Sequence, residues 1–184
     1  MYFAPKEITL KDGRTAILRS PLPGKDAEDM RQYLLDTCGE TPYLAKYPEE
    51  WEHLAVEKER EILQRFVDAE HQLMLVAEVD GRIAGNCQIA FRGSIKTRHR
   101  ADVAIALRQA YWGLGIGSAM FEELIAAGRR REGVTQLELI FIEGNSRARG
   151  LYEKMGFRIA GVHPNAIRLK DGTLLHEYLM IKEL

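Results

Sequence analysis

The 184-residue chain predicts a mixed α/β fold, with a central and mostly antiparallel sheet flanked by helices. Three observations carry that expectation. Strand-length apolar runs are followed by amphipathic helical stretches and then by hairpins. Asp12-Gly13 and Asp80-Gly81 both sit at turns between such runs, the dipeptide that favours tight antiparallel hairpins. Finally, the apolar run Val103–Leu107 leads through a glycine-punctuated turn, Tyr111-Trp112-Gly113-Leu114-Gly115-Ile116-Gly117-Ser118, directly into a helix.

In order along the chain, Ile8 to Arg19 reads as a strand pair turning at Asp12-Gly13. Ser20 to Gly24 holds two prolines and a glycine and breaks the pattern. Asp26 to Thr37 is helical, with Met30, Tyr33 and Leu34 on one stripe at i, i+3, i+4. Glu40 to Glu50 reads as a loop. A second helix is expected from there to about Asp68, with Leu54, Ala55, Ile62 and Phe66 on one side. His71 to Val79 alternates as a strand, and Ile83 to Phe91 returns as its partner. Arg100 to Leu107 is the strand before the glycine turn. Gly115 to Arg131 is an amphipathic helix with Ile116, Met120, Leu124 and Ala127 at core spacing, and Arg129, Arg130 and Arg131 opposing its negative end. Val134 to Ile142 is an apolar strand. A short helix follows Asn145, then Phe157 to Val162 and a last strand from Leu174 to Ile181. With no Pro/Ser-rich linker and no repeat, residues 1–184 are expected to form a single domain.

Composition narrows the functional classes. The net charge is −1, which argues against an electrostatic nucleic-acid footprint. The one basic run, Lys96-Thr97-Arg98-His99-Arg100, reads as a solvated turn. No apolar stretch is long enough to span a bilayer, and Met1 to Lys11 lacks the apolar core of a signal peptide. A cytoplasmic setting with reduced thiols is therefore expected. Cys87 falls in an apolar strand and reads as core, whereas Cys38 lies near a helix end and could be exposed, with nothing to mark it as a nucleophile. Neither cysteines nor the five histidines show metal-ligand spacing, so no metal is expected.

The chemistry concentrates in two segments. At the glycine turn, a strand, a tight bend and a helix N-terminus put several unpaired amides and the positive end of a helix dipole at one point, an arrangement suited to a phosphate or pyrophosphate. The glycines read G-x-G-x-G, not the dinucleotide fingerprint G-x-G-x-x-G, and no Lys-Ser/Thr follows as in a P-loop. A strand-to-helix turn without a ligand is the alternative. The second segment, Asn145 to Phe157, has a good N-cap in Asn145 and a left-handed stop signal in Gly156 followed by Phe157. Asn145 and Tyr152 are seven residues apart and share a helix face.

Together these segments resemble the GCN5-related N-acetyltransferase (GNAT) superfamily. Its acetyl-CoA loop, Gln/Arg-x-x-Gly-x-Gly/Ala, corresponds to Trp112-Gly113-Leu114-Gly115-Ile116-Gly117. The last two glycines match, and Trp112 stands where the pattern has Gln or Arg. The second signature, Asn-x-x-Ala-x-x-Leu-Tyr-x-Lys-x-Gly-Phe, is met at Asn145, Ala148, Leu151, Tyr152, Lys154, Gly156 and Phe157. Within the superfamily the chain resembles small bacterial amino-acid or ribosomal-protein acetyltransferases.

The resemblance implies a sheet that opens between the strands ending near Leu107 and Ile142, with acetyl-CoA as co-substrate. The implied cofactor contacts are the amides of Gly113, Leu114, Gly115, Ile116, Gly117 and Ser118 on the phosphates, and the strand backbone of Ile105, Ala106 and Leu107 on the pantetheine arm. Asn145 would bond to the cofactor as well as cap its helix. Tyr152 is the implied general acid, a phenol suited to protonating a departing thiolate; a packed tyrosine with a satisfied hydroxyl is the alternative. The general base stays open. Some relatives carry Glu where this chain has Ala101; Asp102, Glu138, Glu143, His99 and His176 are other candidates, each equally readable as an ordinary surface group. A water-relayed base would leave no sequence mark.

The implied acceptor pocket lies between the first two helices, their loop and the last hairpin. Tyr43, Tyr47 and Trp51 would either line it or anchor the loop, and Glu40, Glu49 and Glu50 would attract an amine or stay solvated. The expected activity is transfer of the acetyl group of acetyl-CoA to a primary amine of a small molecule (an amino acid, polyamine or antibiotic) by direct attack in a ternary complex. Alternatives are acetylation of a protein N-terminus or lysine, and a catalytically silent CoA-binding regulatory module. A nucleotide-binding oxidoreductase is disfavoured by the glycine spacing and the missing βαβ start. Related folds are often dimers, so a homodimer is a further expectation of the resemblance.

Overall fold

A computed structural model describes all 184 residues. The strands are β1 (Lys6–Thr9), β2 (Thr15–Arg19), β3 (Gln72–Val79), β4 (Arg82–Phe91), β5 (Arg100–Leu107), β6 (Gln136–Ile142), β7 (Arg158–Arg168) and β8 (Leu174–Glu183). The helices are α1 (Pro23–Glu40), α2 (Glu49–Glu52), α3 (Val56–Asp68), α4 (Ile116–Arg130) and α5 (Ser146–Lys154). The strands form one mixed sheet in the order β1-β2-β3-β4-β5-β6-β8-β7. Every neighbouring pair is antiparallel except β5 and β6.

The β3–β4 hairpin turns at Asp80 and Gly81, both at positive φ, as its Asp-Gly dipeptide predicts. α4 buries the expected face: Ile116, Met120 and Leu124 are fully enclosed and Ala127 nearly so, packed on one side of the sheet beside Leu75, Ile89, Leu137 and Met180. Burying each large aliphatic side chain contributes roughly 1.5–3 kcal/mol, so this stripe alone anchors the helix. α1 and α3 cover the other face at β3 and β4 through Met30, Tyr33, Leu63, Met74, Val76 and Ile83. The α1 N-terminus is tied to the sheet by a buried Arg19, which donates to Asp26 at 2.6 and 2.8 Å and to Glu78 at 2.6 and 2.9 Å.

Two expectations change. The second helix is not continuous: α2 ends at Glu52, Ala55 is extended, and α3 begins at Val56. Arg31 of α1 donates to the carbonyls of Leu54 (2.7 Å) and Glu52 (3.3 Å), satisfying acceptors that a continuous helix would have used itself. The break rotates α3, so Glu59 and Leu63 are its buried residues while Ile62 and Phe66 are half-buried and Ala55 is exposed. Cys38 is also buried rather than exposed. α1 runs on to Glu40, and Trp51 of α2 folds against it with its indole N–H directed at the Cys38 sulfur, 3.2 Å away.

The feature that positions the site is a parting of the sheet. β5 and β6 pair at three positions only, Arg100 with Gln136, Ala101 with Leu137 and Asp102 with Glu138. Beyond them Val103–Leu107 and Leu139–Ile142 diverge, as the resemblance implied. No helix is long and apolar enough to cross a membrane.

Candidate active site

The diverging strands open into a cleft of about 770 Å³, floored by β5 and β6 and closed by the glycine turn, α5 and the loop after α1. The parity of β5 decides which backbone groups face it. Arg108 N–H donates to the Ala84 carbonyl at one end of the β4–β5 ladder, and Arg92 N–H to the Arg100 carbonyl at the other. In an antiparallel pair these bonds alternate, so Asp102, Ala104 and Ala106 turn their peptide groups to β4. Val103, Ile105 and Leu107 turn theirs into the gap. Of the three residues expected to offer backbone there, Ile105 and Leu107 face the opening. The Ala106 carbonyl instead accepts the Tyr33 hydroxyl at 2.8 Å, and the Leu107 carbonyl accepts the Trp112 indole N–H at 2.8 Å.

The glycine turn fits an anion. None of the six consecutive amides from Gly113 to Ser118 donates to a backbone carbonyl or a side chain; Ala119, bonded to the Gly115 carbonyl at 3.1 Å, is the first that does. Gly113 and Gly115 have φ of +79° and +101°, which bring successive amides to one concave side and which side chains adopt only under strain. Open space stands where a Cβ would project at either position, leaving that concavity unobstructed. Gly117 differs: a Cβ there would meet Leu151 Cδ2 at 3.0 Å, so its role is close packing of α4 on α5.

Three cations ring this turn, of which the sequence reading named only Lys154, as part of the second signature and without a role. Lys11 is tied in by its amide, which donates to the Leu114 carbonyl at 3.1 Å. The Arg147 guanidinium lies 4.8 Å from the centroid of the Trp112 ring. The Lys154 ammonium donates to Ser118 Oγ at 3.1 Å. Trp112 thus lacks the guanidinium that Arg would bring to this position but holds an arginine beside the turn through a cation–π contact. Arg147 and Lys154 are seven apart on α5, a spacing that could have flagged them.

α5 has the ends its sequence predicts. Asn145 Oδ1 accepts the Ala148 amide at 3.2 Å. At the other end Phe157 N–H reaches the Tyr152 carbonyl (2.9 Å) and Gly156 N–H the Glu153 carbonyl (3.0 Å), a paired stop with Gly156 left-handed. These ends place Asn145, Ala148, Leu151 and Tyr152 along the cleft. The Tyr152 ring packs edge-on to Phe121, with centroids 5.4 Å apart, and lies 6.1 Å from Phe141. Burial alone pushes its phenol up to about 12, with no hydrogen bond offsetting it. The hydroxyl is therefore a firmly protonated donor in an apolar wall.

The carboxylates and imidazoles weighed as bases do not line this cleft. Ala101 is fully buried. Asp102 is bound by Arg92 at 2.5 Å. Glu138 is buried and taken by Arg92, Arg100 and Gln136 at 2.9, 3.1 and 2.7 Å. Glu143 accepts the His176 amide at 3.1 Å, and His176 Nδ1 accepts the Asn165 amide at 3.1 Å. His99 sits on an exposed turn. The carboxylate that does line the cleft is Glu177, which the sequence reading passed over.

In the loop after α1, Tyr43 faces the cleft while Tyr47 and Trp51 anchor: the Tyr47 hydroxyl accepts the Lys170 amide at 3.1 Å, beside a Glu49–Lys170 ion pair. Glu40 accepts the Gln109 amide at 2.7 Å and Glu50 the Tyr47 amide at 2.9 Å, so these three acids hold the loop and turn in place.

Comparison with known proteins identifies the family and the fold. Residues 32–157 match the profile of the Acetyltransferase (GNAT) family. The L-amino acid N-acetyltransferase AaaT of Escherichia coli (strain K12) is 28% identical over 119 residues, 65% of this chain and 73% of that protein. The crystal structure of a GNAT-family acetyltransferase from Streptococcus pneumoniae superposes with a TM-score of 0.83 at 28% identity, covering 92% of this chain and 99% of that one. A ribosomal-protein-alanine N-acetyltransferase from Brucella melitensis superposes at 0.74 with 26% identity, covering 91% and 99%.

Proposed function

This chain belongs to the GNAT acetyltransferase family, and on that premise we propose that it moves the acetyl group of acetyl-CoA to a primary amine of a small molecule. Acetyl-CoA-dependent N-acetyl transfer is the family's chemistry; the small acceptor and the residue roles are our reading. Residues 1–184 act as one catalytic unit in this reading, because the residues that line the cleft run from Lys11 to Glu177. The buried thiols of Cys38 and Cys87, neither in a disulfide, suit a reducing cytoplasm.

The observation that carries the proposal is the run of six undonated amides at the mouth of a parted sheet with Tyr152 in its wall. The amides of Gly113, Leu114, Gly115, Ile116, Gly117 and Ser118 take the phosphates, with Lys11, Arg147 and Lys154 supplying positive charge. The gap-facing backbone of Ile105 and the Leu107 amide align the acyl arm as a further strand would, with Ala106 beside it, and Asn145 flanks it from α5. A neutral amine attacks the acetyl carbon, the new C–N bond forms and the C–S bond breaks. Tyr152 gives its proton to the leaving thiolate, and the proton that the amine nitrogen gives up passes through water to restore the phenol. A phenol near 12 serves this role because the thiolate, leaving into the same apolar wall, has its own proton affinity raised by desolvation.

Thiol release from acetyl-CoA, measured against a panel of amino acids, polyamines, aminoglycosides and peptides, tests the reading. Turnover with small amines is the expected outcome. Turnover with peptides alone would move the assignment to protein acetylation, and tight CoA binding without thiol release to any amine would make the chain a binding module.

A further inference from the structure

The charged groups around the cleft are sorted by end. All three cations stand at the glycine turn: Lys11 through its amide on the Leu114 carbonyl, Arg147 over Trp112, Lys154 on Ser118. One acidic side chain lines the cleft, Glu177, near the start of β8. Strand register shows which face it serves. β6 and β8 pair Phe141 with Tyr178 and Ile142 with Glu177. Phe141 and Tyr178 stack at 5.2 Å on the face that carries Tyr152. Side chains alternate along a strand, so Ile142 and Glu177 turn to the opposite face, the one α1 covers and whose following loop brings Thr41 and Tyr43 to the cleft. The gap between β5 and β6 thus has a proton donor on one face and a carboxylate on the other.

Resting on the acetyltransferase reading, we propose that Glu177 recognises the acceptor as an ammonium, which gives a proton to water before its nitrogen attacks, and selects primary amines that lack a neighbouring carboxylate, alkylamines and polyamines, over free α-amino acids. Its side chain is 28% exposed, open enough to meet a ligand. Its one ionisable partner within reach is His163 Nδ1 at 3.7 Å, on a side chain that is 75% exposed and so holds it weakly. Apart from that exposed His163, no basic side chain stands beside Glu177 in the cleft lining. An α-amino acid would bring its carboxylate beside Glu177 with no cation to receive it, whereas a simple amine presents only the charge that Glu177 attracts.

The test compares matched pairs differing by one carboxylate: cadaverine with lysine, agmatine with arginine, phenethylamine with phenylalanine. For the wild type, kcat/KM is expected to be at least tenfold higher for the decarboxylated member, with the difference in KM. Glu177→Gln should raise KM for the amines at least tenfold and collapse that preference, Glu177→Asp should recover part of it, and CoA affinity should not move in either. Titration of cadaverine into the CoA-loaded protein gives a readout independent of turnover, with binding in the wild type and its loss in Glu177→Gln. Amino acids used as well as their amines, an unchanged preference in Glu177→Gln, or no cadaverine binding to the wild type would each overturn the proposal. The acetyltransferase reading survives those results as long as the wild type releases thiol with any amine, so the two fail separately.

Discussion

Two helices start beside the same cleft, and their first turns are finished differently. α5 satisfies itself: Asn145 caps it through the Ala148 amide. α4 has no capping side chain and no acidic residue in its first turn; its N-cap is a left-handed glycine, and its leading amides stay empty. A bare helix start forgoes the roughly 0.5–2 kcal/mol that a side-chain cap contributes. The contrast teaches that α5 completes its own first turn, while α4 leaves its leading amides free for the phosphates of the proposed reaction.

Three substitutions break or sharpen that contrast. The largest effect is expected at the end of what α5 holds: Tyr152→Phe should lower kcat by about 10²–10⁴ with CoA affinity unchanged, read by steady-state thiol release and by titration. An unaltered kcat at saturating acceptor would remove the phenol from the chemistry. The sharper test makes α4 resemble α5. Ser118→Asp puts an acceptor carboxylate in the first turn, where it should stabilise the free protein by about 0.3–1 kcal/mol and weaken CoA binding at least tenfold. Thermal melting and CoA titration should therefore move in opposite senses; a parallel change would mean that the open amides do not bind phosphate. The smallest effect is expected from Asn145→Ala, a loss of about 1 kcal/mol or roughly 2–4 °C in melting temperature, with any added rise in the KM for acetyl-CoA measuring a direct cofactor contact.

These same features explain what could be read before any coordinates. The glycine turn, the Asn145 cap, the Gly156-Phe157 stop and the Asp-Gly hairpins act within a few residues, and local chemistry carries their signals. The α2–α3 break was hidden because it depends on Arg31 reaching carbonyls some twenty residues downstream. Arg147 was passed over because its partner, Trp112, lies in another element. Glu177 was missed for a topological reason. β8 inserts between β6 and β7, so its register against Ile142 joins segments that no sequence periodicity links.

The three-rung pairing of β5 with β6 has a consequence for the empty protein. Past Asp102 and Glu138 both strands carry raw edges in the middle of a sheet, the kind of backbone that other chains can zip onto. A ligand lying in that seam would act as a missing strand, and at a hundred times its dissociation constant it would add about 2.7 kcal/mol to the resistance of the fold. Cellular supply of the thioester would then set the lifetime of the enzyme against proteases as well as its turnover.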